Sequence, residues 1–390
     1  MQSTYLVTGA TGAIGYAFTM AILNNNEKAI ILVRNYRDAV ELFGYHHNLT
    51  IVEGDVFDTD LLHRLALQSQ FVMHAVNAPF SQWATFLPAA TESIINACAN
   101  LNITILFPGN NYGFGDNKLP ISEITPNNPC THLGRVRVEI ESMLQKAAES
   151  NKFQVLNIRL PEIWGPNVTN AAFAPIFEAA ISLKPLPWIF DADTPQQLMY
   201  SLDAGRLIFE LTKIAHEEPY TVFHAAGTEI SSVRNWLTRI GSLLGSFKGI
   251  SSPPKLILQV YSRINPTIKN ALSLSYKWQT SIRFDDKKLR QALPGFTQTP
   301  MDEAINQTAL WFKCRVDKNI TRRKTNFKTG AKEFIMENVA IGFFPFILAL
   351  VGSLIPFVNS QAAMFGVVAG IYWTSPLKAL LRKGIPYLHS

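Results

Sequence analysis

Cysteines and charged residues are scarce in this chain. Of its 390 residues, three are cysteines and 16% are Asp, Glu, Lys or Arg. Cys98, Cys130 and Cys314 are widely spaced and form no Cys-x-x-Cys pair, which argues against a disulfide framework and against a cysteine zinc site. The sequence therefore indicates a globular protein of a reducing compartment.

Several motifs of common enzyme classes are also missing. The sequence has no Gly-x-Ser-x-Gly elbow and no Walker phosphate loop, which argues against the most common hydrolases and NTPases. His46 and His47 are adjacent, but they have no acidic residue or cysteine at metal-ligand spacing. We therefore expect no metal site.

Basic charge is concentrated at one end of the chain. Residues 1–312 contain 24 basic and 26 acidic residues, whereas residues 313–390 contain 11 and 3, so the formal net charges are −2 and +8. The larger part has no excess of basic residues with which to hold a phosphate backbone. We therefore expect no nucleic-acid partner.

An apolar strand meets a glycine turn at the start of the chain. Gly9, Gly12 and Gly15 follow this strand, three residues apart, and an apolar helix comes next. This order is typical of a turn that holds a dinucleotide pyrophosphate at a helix N-terminus, where unpaired N–H groups favour an anion. The expected contacts are Gly9, Thr11, Gly12, Ala13, Ile14 and Gly15.

Short apolar runs alternate with helical patterns through the first part of the chain. The runs at residues 29–33, 49–52, 71–74, 104–107 and 155–158 are typical of buried strands in a parallel sheet. Later segments predict a strand at 221–225 and helices at 203–214, 232–244 and 301–314, while residues 251–281 are ambiguous. The sequence predicts a doubly wound α/β fold, with a core at 1–160 and a substrate-binding part of the same domain at 161–314.

The composition changes after residue 314. Residues 315–337 form a basic linker, and residues 338–384 contain two apolar stretches, the first of them uncharged and long enough to cross a bilayer as a helix. Basic residues flank both ends, which predicts a membrane hairpin with both ends in the cytoplasm. A buried helical pair, a helix in the membrane surface and a dimer contact remain open alternatives.

Further segments accompany the glycine turn, namely Gly54-Asp55-Val56, His74-Ala75-Val76-Asn77, Tyr112-Gly113 and the run RLPEIWGP at residues 159–166. Together they resemble the extended and atypical short-chain dehydrogenase/reductases, also called the NAD-dependent epimerase/dehydratase family. The resemblance covers residues 4–314. It implies a Rossmann fold and a nicotinamide cofactor.

The resemblance also implies roles for individual residues. Asp55 and Val56 correspond to the pair that meets the adenine, Ala75, Val76 and Asn77 to the segment beside the nicotinamide ribose, and Pro161 to a residue near the nicotinamide. Two ordinary roles remain open: Asp55 as the cap of the following helix, and Ala75 as a small residue at a strand end.

The residue after the second strand indicates which dinucleotide is bound. An acidic residue there would hydrogen-bond the adenosine ribose of NAD, but this chain has Arg34, with Arg37 nearby. An arginine pairs with a 2′-phosphate, so the sequence favours NADP(H) over NAD(H). The alternative is that both arginines form a solvated surface pair.

The catalytic Tyr-x-x-x-Lys pair of the resembled family is absent. Alignment on Glu139 places Thr131 at the tyrosine position and Arg135 at the lysine position, and neither side chain replaces a titrating phenol. Tyr112 is a candidate substitute acid, although packing in the Tyr-Gly turn is an alternative role. The other polar candidates are Asn110, Asn111 and His74. A lone histidine at a strand end, such as His74, is more often a core residue with its hydrogen bonds satisfied than a catalyst.

The sequence thus predicts an NADP(H)-dependent oxidoreductase of the epimerase/dehydratase type at the cytoplasmic face of a membrane. Its expected partners are a carbonyl or hydroxyl substrate, lipid-linked or sugar-linked, a lipid bilayer and, as an open alternative, a second copy in a homodimer. The second hypothesis is a catalytically degenerate NADP(H)-binding sensor or scaffold.

Overall fold

Seven strands form the central sheet of this computed structural model, which describes residues 2–117, 120–253, 258, 262–263 and 266–315. The sheet belongs to a compact unit that spans Met1–Lys313. The strands of the unit are β1 Thr4–Thr8, β2 Lys28–Val33, β3 Leu49–Glu53, β4 Phe71–His74, β5 Thr104–Asn110, β6 Gln154–Leu160, β7 Glu162–Trp164, β8 Leu186–Pro187, β9 Gln196–Tyr200, β10 Tyr220–His224, β11 Thr228–Ile230 and β12 Ile250–Ser251.

The helices that carry the fold lie between these strands. They are α1 Ala13–Asn24, α2 Tyr36–Phe43, α3 Thr59–Ala66, α4 Trp83–Cys98, α5 His132–Ser150, α6 Ala174–Ile181, α7 Ser201–Leu211 and α8 Val233–Leu243. Further helical segments follow at Pro266–Ser273, Tyr276–Gln279, Lys287–Ala292 and residues 301–315.

The central sheet is parallel throughout and has the order β10-β6-β5-β4-β1-β2-β3. The order reverses at β1, which pairs with β2 on one side and with β4 on the other. In an open parallel sheet this reversal leaves a crevice at the carboxyl ends of the strands. The predicted doubly wound α/β sheet is confirmed.

Helices cover both faces of the sheet because successive strand residues point to opposite sides. Leu6 of β1 packs with α3, α4 and α5, whereas its neighbour Val7 packs with α1 and α7. Helices α1 and α7 lie so close that a Cβ on Gly205 would be 2.3 Å from the Ala17 backbone. Two apolar layers therefore hold the carboxyl ends of the strands in place.

The part of the chain after residue 160 is interleaved with the core. Strand β10 extends the central sheet beside β6, and α7 covers its face. The remaining strands form a three-stranded sheet, β11-β9-β7, and a two-stranded sheet, β12-β8. Tryptophans and phenylalanines fill the adjacent core, including Trp164, Phe173, Phe177, Trp188, Trp236, Trp278 and Phe312. The predicted boundary at residue 160 therefore divides the sequence but not the fold, because elements from both sides of it share one sheet and one core.

The hairpin predicted at residues 338–384 and the linker after residue 315 lie outside the described residues. Within the described part of the chain, no helix combines the length and the apolar character that crossing a bilayer requires.

Candidate functional site

The glycine turn after β1 depends on the lack of side chains at two positions. Gly9 has φ +73°, and a Cβ there would be 2.3 Å from the carbonyl oxygen of Ala75. A Cβ on Gly15 would be 2.2 Å from the carbonyl oxygen of Gly9. Any larger residue at either position would force the turn away from β4 or from α1. The turn therefore holds the N-terminus of α1 directly over the end of the sheet.

Asn167 fixes the same turn from the later part of the chain. Its Nδ2 group donates hydrogen bonds to the carbonyl oxygens of Thr11, at 3.0 Å, and Gly12, at 3.2 Å. Asn167 is buried and has φ +61°, a conformation that asparagine tolerates better than most residues. The sequence analysis missed this contact, and the asparagine directly after Gly165-Pro166 was the available signal.

A cleft opens in front of the turn, at the point where the strand order reverses. Most of the predicted cofactor contacts line it, together with several residues that the sequence analysis missed, among them Leu32, Val33 and Phe86. The lining residues are Thr8, Gly9, Thr11, Gly12, Leu32, Val33, Arg34, Gly54, Asp55, Val56, Ala75, Val76, Asn77 and Phe86. Segments from four neighbouring strands thus converge on one cleft.

Other predicted cofactor residues do not line this cleft. Ala13, Ile14 and Gly15 form the first turn of α1, and Ile14 packs against the core that α1 shares with α7. Pro161 is buried between β6 and β7. Arg135 is exposed on α5.

Asp55 and Arg34 reach the cleft with exposed side chains. Asp55 Oδ1 accepts a hydrogen bond from the Phe57 N–H at 3.0 Å, whereas Asp58 caps α3 through the Leu61 N–H. The alternative role of Asp55 as the helix cap is therefore wrong. Arg37 is exposed on α2 and does not line the cleft.

Helix α5 does not bring Thr131 or Arg135 to the cleft. Thr131 is the N-cap of the helix, and its hydroxyl accepts a hydrogen bond from the Gly134 N–H at 3.1 Å. Glu139 is exposed, and the buried glutamate of this helix is Glu141.

Glu141 forms a buried ion pair with Arg159 of β6, in which Nε donates to Oε2 at 3.0 Å. The residues four and eight positions before Glu141 are Arg137 and Leu133, the same spacing that Arg135 and Thr131 have to Glu139.

Arg137 lies at the carboxyl end of β5. Its NH2 group donates to the carbonyl oxygen of Pro108 at 2.8 Å, and its guanidinium lies 5.0 Å from the ring centroid of Phe107 and 5.6 Å from that of Trp83. Its Nε has no hydrogen-bond partner. Arg137 is therefore a fixed cation that cannot exchange a proton near neutral pH.

Tyr112 is buried in the turn after β5 and stacks on Trp83, with ring centroids 6.0 Å apart. Burial raises the pKa of its phenol, which makes it a weaker acid than a free tyrosine. Lys277 Nζ lies 3.8 Å from the centroid of the Tyr112 ring and forms an ion pair with Glu162. The sequence analysis missed Lys277 and Glu162, since no local motif joins them.

His74 at the end of β4 is a neutral core residue. Thr91 donates its hydroxyl proton to the carbonyl oxygen of Leu87, so its oxygen accepts from the Nε2–H of His74 at 2.9 Å. Burial, with Arg137 nearby, lowers the pKa of His74 to about 3. Among the described residues, His, Cys, Asp and Glu form no group that could hold a metal ion.

The fold and the cleft define a doubly wound α/β protein with a glycine turn at the carboxyl end of its first strand. The chain belongs to the NAD dependent epimerase/dehydratase family, whose model matches residues 5–213. No curated protein matches the chain in a sequence comparison.

Solved structures of this fold are similar over most of the chain. The Bordetella bronchiseptica enzyme WbmH in complex with NAD+ has 17% sequence identity and a TM-score of 0.63, over 80% of this chain and 99% of that one. UDP-glucuronic acid 4-epimerase from Bacillus cereus in complex with NAD has 14% identity and a TM-score of 0.66, over 80% and 98%. UDP-N-acetylglucosamine 4-epimerase from Methanobrevibacter ruminantium M1, in complex with UDP-N-acetylmuramic acid, has 20% identity and a TM-score of 0.63, over 80% and 99%.

Proposed function

We propose that the chain is a nicotinamide-dinucleotide-dependent oxidoreductase of the epimerase/dehydratase type that acts on a carbonyl or hydroxyl carbon. The observation that carries this proposal is the cleft at the strand-order reversal, in which the glycine turn, Asp55 and residues 75–77 face one another. The missing side chain of Gly9 lets the turn pack against Ala75, and Gly12, the N-cap of α1, lines the cleft, so the N-terminus of the helix is available to a pyrophosphate.

Each part of the cleft has a role in this proposal. The backbone N–H groups at the start of α1 would bind the pyrophosphate, Asp55 and Val56 would meet the adenine, and residues 75–77 would lie along the nicotinamide ribose. The bound cofactor would supply hydride transfer at its nicotinamide ring. The protein would orient the substrate carbon against it and exclude water.

Two observations bear on which dinucleotide is bound. Similar structures were solved with NAD, which supports NAD. Arg34, exposed at the cleft where an NAD enzyme would carry an acidic residue, supports NADP(H), because its guanidinium can pair with a 2′-phosphate. The ratio of the two affinities decides between them.

The proposed substrate class is a sugar-linked or lipid-linked alcohol or ketone. Several similar structures are of epimerases that act on UDP-linked sugars, which supports the sugar-linked class. UDP-glucose, UDP-glucuronic acid and UDP-N-acetylglucosamine, with a panel of aldehydes and ketones, are therefore the probes of choice.

The test combines dinucleotide binding with turnover of these probes. Gly9→Ala should abolish binding of NADH and NADPH, because its Cβ would meet the Ala75 carbonyl. Gly245→Ala is the matched control, since Gly245 also has a positive φ, of +62°, but has no atom near an added Cβ. Equal binding by both variants would contradict the proposed cofactor site.

The second candidate function is a catalytically degenerate dinucleotide-binding sensor or scaffold. The observation that favours it is the absence of tyrosine from α5, together with the weakened acidity of Tyr112. Tight dinucleotide binding without turnover of any probe would support this candidate and contradict the enzymatic one.

We also propose that residues 338–384 attach the chain to a membrane, with the catalytic unit in the cytoplasm. The support comes from the sequence alone, namely its apolar length and flanking basic residues. The full chain should sediment with membranes, and a chain ending at Asn326 should stay soluble. A full chain that is soluble without detergent would contradict this proposal.

A further inference from the structure

A buried lysine lies at the carboxyl end of the sheet, outside the cofactor cleft. Lys277 belongs to the one-turn helix Tyr276–Gln279 and is 3% exposed. Its Nζ forms an ion pair with Glu162 and lies 3.8 Å from the centroid of the Tyr112 ring. A buried lysine is uncommon in a soluble protein, and this one has a carboxylate on one side and an aromatic face on the other.

Its neighbours place Lys277 close to the cleft. Glu162 follows Pro161 directly, and Tyr112 follows the end of β5. Tyr112 stacks on Trp83, whose indole N–H donates to the carbonyl oxygen of Ala78 at 2.9 Å. Ala78 comes directly after residues 75–77, which line the cleft. Lys277 thus contacts the residues that follow β5 and β6, and Tyr112 and Trp83 connect it to the residue after the cleft segment 75–77.

The charged and titratable groups around Lys277 come from several elements. Glu162 of β7 is the anion in contact with it, and Tyr112 presents a ring face. Arg137 of α5 acts on the same Tyr112, Tyr276 precedes Lys277 on its own helix, and Asp116 accepts a hydrogen bond from Thr280 beyond that helix. Glu162 is thus the nearest anion, and Tyr112 favours a cation by its ring face.

Burial also affects the protonation of this amine. It lowers the pKa of Lys277 well below that of a free lysine. The lowered pKa favours the free amine, which can accept a proton, whereas the Arg137 guanidinium cannot.

This inference rests on the function proposed above. We propose that Lys277 is the catalytic acid and base of the reaction and that Glu162 is its positioning residue. In the oxidation step the substrate O–H bond breaks and its proton forms an N–H bond with the free amine of Lys277. The C–H electron pair leaves with its hydrogen for the oxidised nicotinamide, and the C=O bond forms. The reverse step returns the proton from Lys277 to the oxygen.

Two contacts of Lys277 offset part of the cost that burial imposes on its ammonium. The new ammonium faces the Glu162 carboxylate and the Tyr112 ring, and both attract a cation. The proposal therefore supplies a proton acceptor to a site whose α5 helix contains no tyrosine.

The test uses Lys277→Met and Lys277→Arg in the full chain, with Lys288→Met as a control. Lys288 is an exposed lysine of the next helix that donates to the Val222 carbonyl oxygen. The measurements are the Kd for NADH and NADPH and the pH profile of kcat with the UDP-sugars, aldehydes and ketones named above. Wild-type protein and the Lys288→Met variant should behave alike.

Both Lys277 variants should bind the dinucleotide with a Kd within about twofold of wild type and lose about 100-fold in kcat, the contribution typical of general acid–base catalysis. Arginine keeps the cation and the ion pair but not the proton exchange. Rescue of kcat by Lys277→Arg would therefore show a structural ion pair and overturn the proposal.

Glu162→Gln gives an independent readout. Removal of the carboxylate destabilises the ammonium of Lys277, so the rising limb of the wild-type pH profile should move to lower pH. An unmoved limb would contradict the assignment. Turnover that persists in Lys277→Met would overturn the assignment alone, whereas dinucleotide binding without turnover by wild-type protein would overturn the proposed enzymatic function and this assignment with it.

Discussion

Arg34 and Arg37 differ in their position relative to the cleft. Arg34 directly follows β2 and lines the cleft, while Arg37 lies on α2 and does not line the cleft. The two arginines are three residues apart and both exposed, so each serves as a control for the other. Sequence reasoning treated them as a pair, because it could not tell which side of the strand end each would occupy.

Arg34→Asp should raise the Kd for NADPH about tenfold or more relative to the Kd for NADH. A hydrogen bond to a charged group contributes about 1.5–3 kcal/mol, and about 1.4 kcal/mol corresponds to tenfold in affinity. Fluorescence titration with each reduced dinucleotide measures the ratio, and Arg37→Asp should leave it unchanged. Equal losses for both dinucleotides in Arg34→Asp would show that NADP(H) is not preferred.

Buried histidines make the stability of the protein depend on pH. Burial lowers the pKa of His74 to about 3 and that of His224 to about 4, from an ordinary value of 6.5. His224 accepts a hydrogen bond from Arg159 at Nε2 and donates from Nδ1 to the Ile121 carbonyl oxygen, so the neutral ring satisfies both partners. Below pH 6.5 these two histidines bind protons in the unfolded chain but stay neutral in the folded protein.

The stability that the two neutral histidines contribute should therefore be fully present above pH 6.5. The free energy of unfolding should fall as the pH drops from there towards 4. Each histidine contributes a slope of about 1.4 kcal/mol per pH unit in this window. Denaturant titration at a series of pH values measures it, and His74→Gln should reduce the slope by about that amount. The same slope in wild type and in His74→Gln would contradict the neutral state of His74.

At the scale of elements, the glycine turn is held by a segment distant in the sequence. Asn167 follows β7 and donates to two carbonyl oxygens of the turn. The turn itself was predictable from the glycine spacing, because that spacing encodes local backbone shape. The contact from Asn167 was not, because 156 residues separate it from Thr11.

Asn167→Gly should raise the Kd for the dinucleotide about threefold to tenfold and keep the fold. Glycine retains the left-handed backbone but loses both hydrogen bonds, each of which contributes about 0.5–1.5 kcal/mol. Asn100→Gly is the matched control, since Asn100 has the same φ of +61° and does not line the cleft. Unchanged affinity in Asn167→Gly would show that the turn holds its shape without this contact.

Helix α5 shows where sequence reasoning succeeded and where it failed. Sequence analysis treated Thr131, Arg135 and Glu139 as one motif, and the structure places Arg135 and Glu139 on the helix His132–Ser150, with Thr131 as its N-cap. Glu139 and Glu141 are two residues apart and lie on different faces of a helix, and only the position of Arg159 in β6 shows which one is buried. The ion pair of Lys277 and Glu162 spans 115 residues and was equally beyond local patterns.

The whole unit depends on elements from both parts of the chain. Strand β10 and helix α7 come from the later part, yet β10 completes the central sheet beside β6 and α7 packs on α1. Their removal would expose an apolar sheet edge and an apolar helix face. The strand alternation before residue 160 thus covers most of the central sheet but not β10.

A chain ending at residue 160 should therefore aggregate or stay unfolded, whereas a chain ending at residue 313 should fold cooperatively. The shorter chain lacks the apolar contacts of α7 and the ladder of β10. Circular dichroism and urea unfolding of both chains test this difference. Cooperative unfolding of the shorter chain would show that the first 160 residues are an independent domain.

The hydrogen bonds from Asn167 join the segment after β7 to the glycine turn. Asn167 lies on the segment that leads from β7 and Glu162 towards the substrate part, and its amide reaches the loop that would hold the pyrophosphate. A ligand that moves this segment changes the affinity of the loop, and thermodynamic linkage requires the cofactor to change the affinity for that ligand by the same factor. Cofactor and substrate should therefore bind with a measurable coupling free energy, and Asn167→Gly should reduce it.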